Sequence, residues 1–250
     1  GDAFNSNDDK GAVIVWANAR LDMRNSLISN SEMYGFNASY GGAELTLTDN
    51  TITSCAAPMY IEGAYPTTIS GGTYTGNTLD AIIVTADQLT GEHIWPKLDV
   101  VFHLPEGMQV IPGGTLRIMP GTIMGFGQDT QLFINEGASG PKPSLIAVGL
   151  EEAPIIFTSI DQTIGAWRGI YFDSPSSLNE IGWATIEHAT NPSQDGAIEA
   201  WYGTVLNVHD VYFRDIQDCA IYEYISGGSQ SGITTSNLLF ENVGGTICED

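Results

Sequence analysis

Residues 113–127 read GGTLRIMPGTIMGFG. Two short apolar runs, TLRI and TIMGF, have strand composition, yet Met119-Pro120-Gly121 separates them and Gly127 closes the second. Proline removes a backbone donor and glycine admits conformations closed to other residues, so neither run continues through the break. Strands this short fit a fold that turns often and pairs each strand with segments elsewhere in the chain.

The same punctuation recurs. RNSLISNS, TDNTITSC, SGGTYTGN, VHDVYFRD and SNLLFENV each set a β-rich centre between small or polar residues. The inward-facing centres are Ile28, Ile52 and Tyr74 in one series, and Phe157, Ile186, Phe213 and Phe240 in another, at intervals of 22 to 29 residues. A sandwich would turn every 8–12 residues or so; the longer drifting period is that of a solenoid. A longer repeat supports it, because GAVIVWANARLDMRNSLISN (11–30) lies over GAIEAWYGTVLNVHDVYFRD (196–215) without a gap. Gly11/Gly196, Ala12/Ala197, Trp16/Trp201 and Leu21/Leu206 are identical. The expected fold is all-β: a right-handed parallel β-helix of about nine or ten coils. Its expected parts are a first sector over 1–80, an irregular join over 81–112 with Trp-Pro and Leu-Pro breaks, and a second sector over 113–250 in one continuous solenoid.

GGTLRIMPGTIMGFG, SLIAVGLEEAPIIFTSI, GAWRGIYFDS and ATIEHAT together resemble the right-handed parallel β-helix repeat proteins of bacterial surfaces and secretomes. The resemblance covers roughly residues 80–245, and 11–79 more loosely. It implies the fold and says little of activity, since lyases, adhesins and structural fibres share this scaffold.

Composition narrows the function classes. Thirty acidic residues against eight basic ones give a formal charge of -22, a field that repels nucleic acid and anionic membranes. No apolar run is long enough to span a bilayer, so membrane insertion is not expected. The opening GDAFNSNDDK lacks the basic and apolar regions of a signal peptide, so an exported protein would be read here in mature or trimmed form. Neither end of the pattern has an evident cap, so the chain is expected to be part of a longer parent chain or a subunit that stacks end to end. Of the three cysteines, Cys219 and Cys248 are about one coil apart and are disulfide candidates; two buried thiols are the alternative. Unpaired Cys55 or Cys248 is the candidate for an intermolecular bridge. No CxxC pair or Cys/His cluster points to zinc.

Candidate chemistry follows from the ladders that a solenoid stacks. Two places beyond each centre stand Asn30, Ser54 and Gly76, then His188, Asp215 and Asn242; between centre and corner, Glu187, Arg214 and Glu241 form an outward ladder of alternating charge. His188, Arg214 and Asp215, with Asp173 a coil earlier, are the only group from which a lyase site could be assembled, and Glu187/Asp215 or Asp210/Asp215 the pairs a hydrolase would need. Asp210, Asp215 and Asp218 are the densest local oxygen-ligand cluster, the place for calcium, although no calcium-loop motif is present and no cofactor is required. Trp167 and Trp183 are candidates for a carbohydrate platform, whereas Trp16 and Trp201, at equivalent repeat positions, point to structural packing. Asn37-Ala38-Ser39 fits a glycosylation acceptor. The threonines of TIT and TYT stack on too few coils for an ice-binding face and are read as strand formers. The expected function is a non-catalytic extracellular or cell-surface protein with a structural, adhesive or fibre-forming role, partnered by itself, by a longer parent chain or by glycans. The alternative is a carbohydrate-active enzyme (polysaccharide lyase or hydrolase) or a carbohydrate-binding module.

Overall fold

The computed structural model describes residues 10–85, 88–135, 140–190, 195–201, 203–225 and 231–249. Strands account for 61% of the described residues and α-helix for none of them, which settles the all-β class. The strands stack in parallel as a β-solenoid of about eight turns, slightly fewer than expected. Two compact units are resolved, one of residues 1–87 and 98–103, the other of 88–97 and 104–250.

In the first unit each turn feeds three parallel stacks. Tyr34–Ala38, Ala57–Glu62 and Ala81–Thr85 form one; Arg20–Arg24, Glu44–Thr48 and Ile69–Ser70 the second; Leu27–Ser29 and Thr51–Thr53, bridged onward to Thr73, the third. The second unit repeats the plan with longer strands. Gln131–Asn135, Gly169–Asp173, Gly196–Ala200 and the far end of Val205–Glu223 make its first stack. Ser144–Val148, the start of Glu180–Glu187, the start of Val205–Glu223 and Gly232–Ser236 make its second. Ile123–Phe126, Ile155–Ser159 and the strand segments from Ala184, Val211 and Leu239 onward make its third.

The registers are those of the repeat. Ile28 pairs Ile52, and in the second unit Phe157 pairs Ile186, Ile186 pairs Phe213, and Phe213 pairs Phe240. Ile52, Tyr74, Phe157, Ile186 and Phe213 are wholly buried. A side chain at each centre therefore meets its own kind one turn away, about 4.8 Å along the axis, and the core is a set of columns rather than one cluster. Met119-Pro120-Gly121 forms the corner between Met108–Ile118 and Ile123–Phe126, with Gly121 at φ 79°. The prolyl nitrogen thus falls outside the ladder, where its missing hydrogen costs nothing.

The corners are built by one device. Asn25 and Asp49, Asn30 and Ser54, Trp183, Asp210 and Asn237, and His188, Asp215 and Asn242 all sit at φ between 44° and 61°. A single left-handed residue swings the chain from one face to the next, and Asn and Asp tolerate it best among residues with side chains. Buried asparagines satisfy the backbone at bends, Asn50 directly after the Asp49 corner and Asn179 elsewhere. Asn50 accepts from the Ser26 amide at 3.0 Å and donates to the Met23 carbonyl at 2.8 Å; Asn179 accepts from the Leu145 amide at 3.0 Å and donates to the Val205 carbonyl at 3.1 Å. Each ties adjacent turns together where ladder bonds lapse.

Asn37 is another such residue. It is fully buried and donates to the Lys10 carbonyl at 3.1 Å, so the Asn37-Ala38-Ser39 triplet presents no acceptor for a glycan. Cys219 and Cys248 form a disulfide between successive turns of the first stack, with Cα atoms 6.2 Å apart. Cys55 is a buried free thiol that donates to the Thr53 carbonyl at 3.3 Å. Neither Cys55 nor Cys248 is thus placed to bridge to another molecule.

Candidate functional site

On the third stack of the second unit, the strand segment from Val211 to Arg214 runs between two left-handed corners. At its far end the Glu187 carboxylate accepts from Arg214 Nε at 2.5 Å and lies 3.8 Å from His188 Nδ1, while that same nitrogen is 2.9 Å from Thr158 Oγ1. Glu187 forms with Arg214 the cross-strand charge pair that the ladder implied, and it is buried beneath these partners, with the Arg214 guanidinium folded over it. Glu241, next in that ladder, accepts instead from the Tyr212 hydroxyl. Asp215 accepts from Asn242 Nδ2 at 2.6 Å. His188, Arg214 and Asp215 are therefore neighbours, but each is engaged in an inter-turn pair. Asp173 ends a strand of the first stack, in register with Asn135, and does not join them.

The three aspartates considered for calcium are not brought together. Asp210 and Asp215 occupy the corners at opposite ends of the segment, about 16 Å of extended chain apart, and the Asp218 amide donates to Thr190 Oγ1. Among the described residues no group of three or more His, Cys, Asp or Glu side chains is arranged to hold a metal ion. Asp210 is held in a polar chain: His209 Nδ1 lies 2.9 Å from it, Asn237 Nδ2 donates to it at 3.0 Å, and His209 Nε2 lies 3.2 Å from Glu180. The His209 contact, with Asn237 assisting, holds the Asp210 carboxyl below its ordinary range against a smaller opposing effect of burial.

The two tryptophans proposed as a platform part company. Trp167 is fully buried, stacked on Phe126 at 4.2 Å, and its Nε1 donates to the Glu187 carbonyl at 2.9 Å, so no sugar reaches its face. Trp183 is half-buried and lines a surface groove of about 430 Å³ with Pro154, Tyr212, Asp210, Asn237 and Leu239. Its φ of 44° is unusual for so large a side chain. Asp210 and Asn237 hold the equivalent corner on the next two turns, so Trp183 places an indole where the pattern calls for a short polar group.

A second cluster stands on the first stack. Glu199 is almost fully buried in the apolar strand Gly196–Ala200, in register between Tyr171 and Tyr222. Its Oε1 accepts from the Asp195 amide at 2.9 Å, and Tyr224 donates its hydroxyl proton to Asp195 Oδ2 at 2.8 Å. Burial raises the Glu199 pKa from its ordinary value; the Asp195 and Gly196 amides oppose the rise, the Asp195 charge adds to it, and the Gln131 amide opposes it weakly. Burial also raises the Tyr224 phenol, assisted by its bond to Asp195 and by the charges of Glu199 and Asp195. No motif in the sequence marks Glu199. The signal was there: in the gapless repeat it replaces Ile14, a charged residue at an apolar position.

This acid has a consequence for stability. A carboxyl whose folded pKa exceeds its unfolded one is bound more tightly by protons in the native state. It stabilises fully below the unfolded pKa, and that contribution is lost as pH rises through the folded pKa. Thermal melts from about pH 4 to 8 should therefore show Glu199→Gln gaining on the wild type as pH rises, since the amide carries no charge to bury. A difference between the two proteins that is flat across this range would contradict the assignment.

No protein-family model matches the chain, and neither the curated proteins nor the solved structures contain a match at significance. The fold and the sites thus stand on the geometry itself.

Proposed function

We propose that the protein is a non-catalytic β-helix of the cell exterior, with an adhesive or structural role. The observation that carries this reading is the engagement of its acid–base groups. Glu187 with Arg214, His188 with Thr158, Asp215 with Asn242 and Asp210 with His209 and Asn237 join one turn to the next or brace a corner. A catalytic base needs a free proton-accepting atom within reach of substrate, and side chains held in such ladders are set to stiffen a rod. The disulfide agrees with an oxidising compartment. Assembly belongs to the same proposal. Phe240 is half-exposed while Phe213, one turn below it, is wholly buried, so a further turn from a second copy or a longer parent chain would cover that column.

A second reading, a carbohydrate-active enzyme, is favoured by Glu199, whose raised pKa beside Asp195 is what a general acid requires. Incubation with neutral and uronate polysaccharides separates the two. No new reducing ends and no unsaturated products are expected; turnover abolished by Glu199→Gln would replace the adhesive reading with the enzymatic one.

A further inference from the structure

Four of the five tryptophans are taken up by packing. Trp95 and Trp167 are wholly buried, Trp16 stacks on Tyr40 with ring centroids 4.6 Å apart, and Trp201 meets Tyr224 at 4.6 Å. Trp183 differs. It is half-buried, and among the described residues no other ring stacks on its indole and no group bonds to its Nε1. Its backbone is left-handed, where the two turns that follow place Asp210 and Asn237. Those residues tolerate the bend better, so the indole stands at this corner against local preference. Strain of this kind, at the edge of a groove, points to a binding role.

The registers set the shape of the groove. Trp183, Asp210 and Asn237 follow one another along the axis on one wall, and Thr185, Tyr212 and Leu239 on the other. Three turns spaced by about 4.8 Å make it roughly 10 Å long, the reach of about three extended residues. The walls are largely apolar, and Leu239 is 66% exposed. The carboxylates around it are negative and unopposed by lysine or arginine among the described lining residues. Asp210 lines the groove, Glu180 stands behind it through His209, and Glu241 accepts from the Tyr212 hydroxyl. Arg214, two residues beyond Tyr212, is paired with Glu187. Asp210 meets His209 with one oxygen at 2.9 Å and accepts from Asn237 with the other at 3.0 Å, and a carboxylate keeps further lone pairs for another donor.

We propose that this groove docks an extended, arginine-bearing segment of a basic protein partner, deepening the adhesive reading on which the proposal rests. A guanidinium lies flat on the Trp183 indole with its N–H groups directed at Asp210, while its aliphatic stem covers apolar wall. Lysine serves less well, because an ammonium neither stacks as a plane nor forks onto a carboxylate. The formal charge of -22 draws such a segment in, and the indole and Asp210 select it.

Isothermal titration of the whole chain, at an ionic strength of about 0.15 M to screen distant charges, tests the proposal. The probes are the blocked pentapeptide Gly-Arg-Gly-Arg-Gly, its lysine counterpart, and its citrulline counterpart, which keeps the shape without the charge. One arginine peptide should bind per chain, the lysine peptide about fivefold more weakly, and the citrulline peptide not at all. Trp183→Asn removes the ring and supplies the corner with the residue that Asn237 provides two turns on. It should keep or raise the melting temperature while weakening arginine binding about tenfold, a combination that a packing tryptophan would not give. Asp210→Asn, which also keeps a corner former, should weaken binding by a similar factor. No arginine binding, equal affinity for the arginine and lysine peptides, binding unchanged by Trp183→Asn, or a melting temperature lowered by that variant would each overturn the groove. Such a failure leaves the adhesive reading to another surface, whereas turnover of a polysaccharide sinks that reading and leaves the peptide groove in place.

Discussion

Trp167→Ala is expected to destabilise the protein by about 3–5 kcal/mol, the range for removing a large aromatic from a packed core. Three losses combine. The indole is wholly buried, it lies nearly parallel to Phe126 at 4.2 Å, and its N–H satisfies the Glu187 carbonyl on the next turn. Truncation opens a cavity between turns and leaves that carbonyl short of a donor. In a chain of this size the melting temperature should fall by roughly 10 °C. Chemical denaturation at constant pH measures the loss directly, and Trp167→Phe should recover part of it by restoring the stack without the hydrogen bond. A melting temperature within a degree or two of wild type would show that the ring is not the core element described.

Opening the Cys219–Cys248 disulfide should come next in size. The bond closes a segment of 29 residues, and the chain-entropy relation assigns such a loop about 3.5 kcal/mol. Removal should also act locally, because the Leu239–Glu249 strand that it anchors is mostly exposed or half-buried. Cys248→Ser, or reduction under native conditions, is expected to lower the denaturation midpoint. It should also raise hydrogen exchange first along residues 239–249, before the buried columns at Ile186 and Phe213 respond. Exchange that rises uniformly, or a midpoint unchanged by reduction, would contradict this role. Cys55 offers an internal control: it is buried and takes no part in the disulfide, so Cys55→Ala should leave the response to reductant intact.

Spacing was legible in the chain because a solenoid turns one-dimensional periodicity into contact. Ile28 against Ile52 and Phe157 through Phe240 could be aligned on paper, since residues one turn apart must stack if the strands are parallel and in register. The corner ladder beginning at Asn30 was legible for the same reason, two positions beyond each centre. Burial was not. Trp167 and Trp183 read alike in sequence, yet one fills the core and the other lines a groove, because position relative to a corner decides which way a side chain points. The calcium cluster failed on the same ground: aspartates close in sequence lie at opposite ends of an extended strand.

The sequence by itself determined the fold class, the parallel stacking, the inward columns, and that Met119-Pro120-Gly121 turns the chain from one face to the next. Those features depend on local propensity and a repeat length, both carried by consecutive residues. Only the tertiary structure decided what meets across turns: Arg214 over Glu187, Glu199 buried beside Asp195, and Trp16 and Trp201 each stacked on a tyrosine a turn away. The order of residues along the chain sets which side chains share a register, but the path around each corner sets which of them touch.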